Sequence, residues 1–408
     1  NYIPIQYFEV FDAKSCFRYT ELLREMALGN FRQMIYRMTI EPAMLLYLNL
    51  TYSNKWEPDE NYARELQELF CVGKGPNSAY TEKDVQAAAR ALTGWRVNWN
   101  DRSSYFDSNW HDTSDKQFSE FYGNTMVSGR NGQDGKEELN DLLDMIFGND
   151  ETALYISRKL YSFFVQVQIN ETIENDIIAP MADILRQNNY NIKPVLAALL
   201  SSAHFYETAN YGAIIKSPLD FAIGHFRAFD IQSPDGASDS DLYSYYASVT
   251  GTLWVMGQDY GDPPNVAGWP AYYQQPLLDK FWVNTGSIIR RASLIDASIY
   301  WGIWHPYRDR FDIHADLIGF IDKLDNPSDP EALVEEVTML LLAVDVSDER
   351  KETLRCILLS GQKANYYWTD AWTSFKENPT DNERRSVVEN RLKWFFQNLA
   401  QFPEFHIM

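Results

Sequence analysis

Apolar residues along this chain recur mostly with the 3.6-residue period of a helix, and only briefly with the two-residue alternation of a strand. Leu22, Leu23, Met26, Phe31, Met34, Ile35 and Met38 form one stripe, interrupted near Gly29, and Pro42 restarts a short apolar segment over 43–48. Asp59 is placed to cap a helix running to about Val72, with Gly73 to end it and Tyr62, Leu66, Leu69 and Phe70 as its inner stripe. Thr81 and Asp84 read as a capping box, the short carboxylate standing in for the usual Glu; Val85, Ala88, Ala89 and Leu92 then point inward as far as Gly94. Ser217-Pro218-Leu219-Asp220 is a further start signal, with Pro at the first helical position. Similar patterns cover 136–147, 151–165, 174–187, 193–203, 240–256, 284–300, 330–343, 348–360 and 382–400. The expected core includes Leu66, Leu69, Phe70, Val85, Ala89, Leu92, Leu160, Phe164, Leu253 and Trp254.

Two stretches break the rhythm. Residues 95–130 are rich in Trp, Tyr, Asn, Asp and Ser, with brief alternation from Trp95 to Trp99, and predict a loop or small hairpin. Residues 257–282 carry Pro263, Pro264, Gly268, Pro270 and Pro276; long irregular segments in a helical protein often face a ligand or partner. The fold class expected is therefore mainly α, a multi-helix array with a small β-hairpin or irregular segment near 95–130. A weak boundary falls near 301–330, where Trp304-His305-Pro306 and Asn326-Pro327 punctuate the chain, dividing a core of 1–300 from a C-terminal helical region of 301–408 packed on it.

Composition narrows the function. The 408 residues are 45% hydrophobic, enough for a sizeable core, and the apolar run 338–344 is far too short to span a bilayer. A formal net charge of -21 argues against a nucleic-acid partner, which needs clustered Lys and Arg. The chain opens at Asn1 without a basic and apolar leader, as expected of a processed or trimmed product. Cys16, Cys71 and Cys356 form no CxxC pair; Cys71, after Phe70, fits a small buried hydrophobe. Aromatics make up 15% of the chain, which serves either stacking on sugars or the packing of many helices. GxSxG, GxxxxGK[ST], HExxH and a strand-borne GxGxxG are all absent.

Three polar segments carry the candidate chemistry. On the helix after Asp59, Asn61, Glu65 and Glu68 share one face and Glu60, Arg64 and Glu68 its neighbour. Glu65 and Glu68 can act as general acid and base or as oxygen ligands for a divalent cation; the alternative is an ion-paired face locked by Arg64. His111 and Asp112, with Asp115 and Lys116 close behind, offer an acid–base pair or, with Glu65, a set of metal ligands, against a turn-stabilising Asp beside an exposed histidine. The loop from Asp262 to Pro270 offers Asn265, the Gly268 amide and the Trp269 ring as a ligand clamp, or else a rigid corner that packs Trp269 inward. The remaining histidines, His204, His225, His305, His314 and His406, have no metal spacing and are expected to be structural.

These segments resemble the bacterial family DUF1800. Asp59-Glu60-Asn61-Tyr62-Ala63-Arg64-Glu65-Leu66-Gln67-Glu68-Leu69-Phe70 is similar to its N-E-N-Y-A-R-E-L-x-E-L-F hallmark, with Asp59 where the family has Asn. Tyr80-Thr81-Glu82-Lys83-Asp84-Val85, Ala88-Ala89-Arg90-Ala91-Leu92-Thr93-Gly94-Trp95, His111-Asp112 with Lys116, and Pro263-Pro264-Asn265-Val266-Ala267-Gly268-Trp269-Pro270 with Trp282 and Asn284 continue it. The resemblance spans about 1–300 and implies an exported protein, periplasmic, cell-surface or secreted, often encoded beside a sulfatase-like or phosphatase-like partner. It implies no activity. Two functions follow as expectations: a binding or assembly protein that meets a partner protein or glycan through an acidic, aromatic surface, or a hydrolase using Glu65, Glu68 and His111, with a divalent cation as the cofactor the carboxylates would suit.

Overall fold

The computed structural model of the chain describes residues 3–233, 236–303 and 313–408. It is mainly helical, and among the described residues its strands form two small antiparallel pairs. Contacts group the chain into two units, one of Asn1–Glu207 with Gly261–Tyr273, the other of Thr208–Tyr260 with Gln274–Met408. This division does not follow the boundary expected near 301–330; Trp304, His305 and Pro306 lie outside the described residues.

The first unit is built of helices whose starts follow the polar caps. The Asp12 carboxylate accepts from the Ser15 amide at 2.9 Å at the head of Ala13–Met26, and Asn30 accepts from Gln33 at 2.8 Å at the head of Phe31–Thr39. Asp59 accepts from the Asn61 amide at 2.8 Å and starts Glu60–Glu65. That helix then widens over Leu66–Cys71, where the Val72 amide reaches back five residues to the Gln67 carbonyl at 2.8 Å. The chain leaves at Gly73, whose φ of +87° suits glycine, and a Cβ there would meet the Tyr155 ring at 2.5 Å. Asp84 does more than cap Glu82–Ala91. Its fully buried carboxylate accepts from Thr81 N at 2.6 Å and from Ser119 N and Oγ at 2.7 and 2.8 Å, pinning a loop 35 residues away.

Ile35, Met38, Leu45, Tyr62, Leu66, Phe70, Val85, Ala89, Leu92 and Leu142 of this core are closed to solvent. Several polar groups inside it are paired. Thr39 donates to Ile35 O at 2.7 Å, so the Tyr62 hydroxyl, 2.6 Å away, donates to Thr39. Buried Gln67 donates to Ala63 O at 3.0 Å and accepts from the Tyr122 hydroxyl at 2.8 Å. The expected hairpin over 95–130 is two: Trp95–Asn98 with Ser103–Phe106, and Lys116–Gln117 with Met126–Val127.

In the second unit, Ser217 and Asp220 form the expected box before Pro218–Ala228. Ile321, Leu333, Val337, Leu354, Leu358, Trp368, Val388, Leu392 and Phe395 lie at its centre. The helix Tyr366–Glu377 escapes the pattern reading. Its residues have modest helix propensity and Asn365 makes no side-chain cap, yet Trp368, Trp372 and Phe375 recur at helical spacing and are buried.

Two expected core residues face solvent. Trp254 is 63% exposed because its neighbour Leu253 takes the inward direction, and adjacent helical residues cannot share one face. Phe164 is 37% exposed: the buried stripe of its helix runs through Ala153, Ile156 and Tyr161, one residue out of phase with Leu160 and Phe164. Leu69 and Leu160 are half-buried.

His225 and His406 are buried in the second unit. Ser298 donates to Ile295 O at 2.8 Å, so His225 Nε2, also 2.8 Å from that hydroxyl, carries the hydrogen. Burial disfavours the charged ring and holds His225 down at about 3 and His406 at about 4, against an ordinary 6.5. The unfolded chain therefore takes up protons below about pH 6.5 that the folded one refuses. Stability is expected to be undiminished by these groups above that pH and to fall as pH drops from 6.5 toward 4, by up to about 1.4 kcal/mol per pH unit for each histidine. Urea midpoints measured from pH 7 to pH 4 check this, and His225→Phe should flatten the slope.

Candidate functional site

The motif helix distributes its charges among partners on all sides. The Arg64 guanidinium forks onto Glu82 at 2.8 and 2.6 Å and also reaches Glu60 at 3.1 Å. Glu68 pairs with Lys74 at 3.0 Å, and the Asn61 side chain lies in solvent. Arg64 thus neutralises Glu60 and Glu82, not Glu68. Glu65 is left over. Its half-buried carboxylate makes no hydrogen bond or ion pair among the described residues, and burial, with the charge of Glu68 second, raises it from 4.5 to about 7 against the opposing pull of Arg64 and Lys74.

Two of the three segments lie within electrostatic range of Tyr47. Its buried phenol feels the charges of Glu65 on the motif helix, of Glu9, and of Asp262 at the start of the Pro-Pro-Asn loop. The loop is tied down by Gln6, whose amide donates to Pro263 O at 2.7 Å, and by the Tyr7 amide, which donates to Gly261 O at 2.8 Å. Asn265 holds the loop's own shape, accepting from Ala267 N at 2.9 Å and donating to the Tyr273 hydroxyl at 2.8 Å. Trp269 is 6% exposed, so its faces are closed to a ligand.

His111 belongs elsewhere. It is 1% exposed, with Nδ1 2.9 Å from the Thr93 carbonyl and Nε2 3.0 Å from Glu138 Oε1. A carbonyl only accepts, so Nδ1 bears hydrogen, and a second proton lies between Nε2 and the carboxyl. Neither nitrogen has a lone pair free for a metal. Lys116, fully buried, donates to Glu138 Oε2 and to the Asp112 carbonyl, and the Arg130 amide donates to Glu138 Oε1 at 2.7 Å. Asp112 turns instead to Arg90 Nε at 3.0 Å and Ser114 N at 2.8 Å. Burial pushes its carboxyl up, but those hydrogen bonds with Lys116 and Arg90 outweigh it and leave Asp112 below the usual range. Glycines let this cluster close: a Cβ on Gly135 would stand 2.6 Å from the His111 ring.

Glu65, His111 and Asp112 therefore do not assemble into a metal centre, and no group of three or more His, Cys, Asp or Glu poised to hold a metal occurs among the described residues. Sequence reasoning missed Glu138, the residue that gathers His111 and Lys116. Its one signal is a Glu placed among the apolar residues opening the helix Glu138–Phe147.

A helical chain with these segments defines a class, and the family model confirms it. The model described as "Protein of unknown function (DUF1800)" matches residues 6–407, so the chain belongs to that family, including the part beyond 300 that the motifs did not anchor. No curated protein and no solved structure matches the chain.

Breaking the buried network from one side should be costly, because the partner charge stays behind unpaired. Lys116→Met is expected to lower the unfolding free energy by about 3–5 kcal/mol in urea titrations. A loss under about 1 kcal/mol would show that the network does not hold the fold.

Proposed function

We propose that the protein is a binding protein whose first unit presents an aromatic strip to a neutral glycan chain. The observation that carries this is the solvent-facing pair Trp56 and Trp110, 71% and 41% exposed, with ring centroids 5.5 Å apart at 88°. Both indoles are rigidly mounted. Trp56 sits on a turn in which Asn54 Oδ1 accepts from the Trp56 and Glu57 amides at 3.0 and 3.2 Å, and the Lys55 amide donates to Trp110 O at 2.8 Å. Arg96 lies 5.1 Å over Trp110 and is anchored to Thr51 O and Ser53 O at 2.6 and 2.9 Å. Tyr105, 48% exposed, is the cross-strand partner of Arg96 and extends the strip.

Flat apolar faces bordered by planar polar groups suit the C–H faces and hydroxyl edges of sugars, and rigid mounting keeps the ordering cost of binding low. The net charge of -21 disfavours a polyanionic glycan. Glycan-array and polysaccharide pull-down assays test this. Trp56→Ala and Trp110→Ala are each expected to weaken binding tenfold or more, about 1.4 kcal/mol. Retained binding in both variants, or no glycan bound by the wild type, counts against the proposal.

Glu65 favours a second reading, a hydrolase with a carboxyl acid–base group close to Glu68 and within electrostatic range of Tyr47. A carboxyl titrating near neutrality is suited to proton transfer. Site-resolved NMR titration should find Glu65 near 7, and Glu68→Gln should lower it without returning it to 4.5, since burial is the larger cause. An ordinary carboxylate value would end this reading.

A further inference from the structure

Arg291, on the helix Thr285–Asp296 of the second unit, is fully buried. Its Nη2 donates to Lys216 O at 2.6 Å, but Nε and Nη1 have no acceptor among the described residues. The guanidinium lies 4.9 Å from the centre of the Phe221 ring, and the His406 imidazole stacks on the same ring at 5.2 Å and 8°. Lys216 is the second cation of the group, His406 being neutral. Its ammonium donates to Phe405 O at 2.8 Å, and the Lys216 amide donates to His406 O at 2.9 Å.

No carboxylate balances them by direct contact. Arg291 and Lys216 form no ion pair among the described residues. Asp220 is within electrostatic range of both, but its carboxylate accepts from the Ser217 hydroxyl at 2.6 Å in the helix cap. Asp279 accepts from Ile215 N at 2.8 Å. A further donor lies open at the start of the same helix. Buried Gln258 accepts from Leu219 N at 2.9 Å, which fixes the orientation of its amide, and its Nε2 has no acceptor among the described residues.

Buried N–H groups without acceptors are rare in folded proteins, and buried cations are normally matched by an anion. We propose that Arg291, Lys216 and Gln258 form a binding site for a small oxyanion, either tetrahedral like phosphate or planar like a carboxylate. The planar, permanently charged guanidinium suits both shapes, and full burial limits the ligand to a few heavy atoms. The site is independent of the aromatic strip.

The test uses the full chain and two probes, inorganic phosphate and acetate, each against chloride at matched ionic strength. Melting temperature and equilibrium dialysis are read together. Salts that merely strengthen burial raise melting without saturating and act equally on variants. The proposal expects saturable uptake of one anion per chain, with a saturating rise in melting temperature, for at least one probe. Lys216→Gln, at a half-buried position, should weaken that uptake at least tenfold while leaving the circular dichroism unchanged; Arg291→Met should abolish it. No saturable uptake of either probe overturns the proposal, and so does equal uptake by wild type and Lys216→Gln. The Lys216 variant keeps the test decisive if the Arg291 variant fails to fold.

Discussion

One carboxylate, Glu138, sets the terms for much of the first unit. It receives His111, Lys116 and the Arg130 amide, all from the irregular stretch between the helices Glu82–Ala91 and Glu138–Phe147. That stretch has little regular structure of its own: two short strand pairs and a few single turns. Short strand pairs are marginal in water, so their placement depends on contacts with the helical body. Two buried carboxylates provide those contacts, Glu138 at the His111 end and Asp84 at the Ser119 loop. In a low-dielectric interior each bond is strong only while every member is satisfied. The three residues of the His-Asp-Lys pattern are therefore a fastening device for the irregular stretch that carries Tyr105 and Trp110.

How much of this was legible in the chain differs by level. Caps were legible because they are local: Asp59, Thr81 with Asp84, and Ser217 with Asp220 signal helix starts within four residues, and all are found there. Core stripes were legible except where phase decides, as at Leu253 against Trp254. The site was less so. His111 and Glu138 are 27 residues apart, and nothing local says that a helix-opening Glu points inward. The widening after Glu65 is equally silent, yet it takes Glu68 to Lys74 rather than to Arg64. Polar residues at helical spacing invite a chemical reading. Most of these turned out to be ion-paired or hydrogen-bonded for shape; the half-buried Glu65 carboxyl has no such partner among the described residues.

Both cores keep some buried polar atoms without a partner among the described residues. In the first, Thr39, Gln67, Asp84, His111 and Glu138 have partners, whereas Arg32 Nε, Glu41 Oε1 and Ser157 Oγ have none among the described residues. In the second, Arg291, Gln258, His225 and His406 each retain at least one unmatched nitrogen. Since native interiors leave few such groups unmatched, Arg291, with two of them on one guanidinium, marks a place where this fold tolerates cost for something other than packing.

The return of Gly261–Tyr273 to the first unit bears on how the molecule can be taken apart. A fragment cut at Glu207 would lack the carbonyls of Gly261 and Pro263, leaving the Tyr7 amide and the Gln6 side chain without their acceptors. It would also lose Val266 from the edge of the hydrophobic cluster. No single cut in the chain separates the two units cleanly. Dissecting them requires a graft in which 261–273 is joined back to the first segment by an artificial connector.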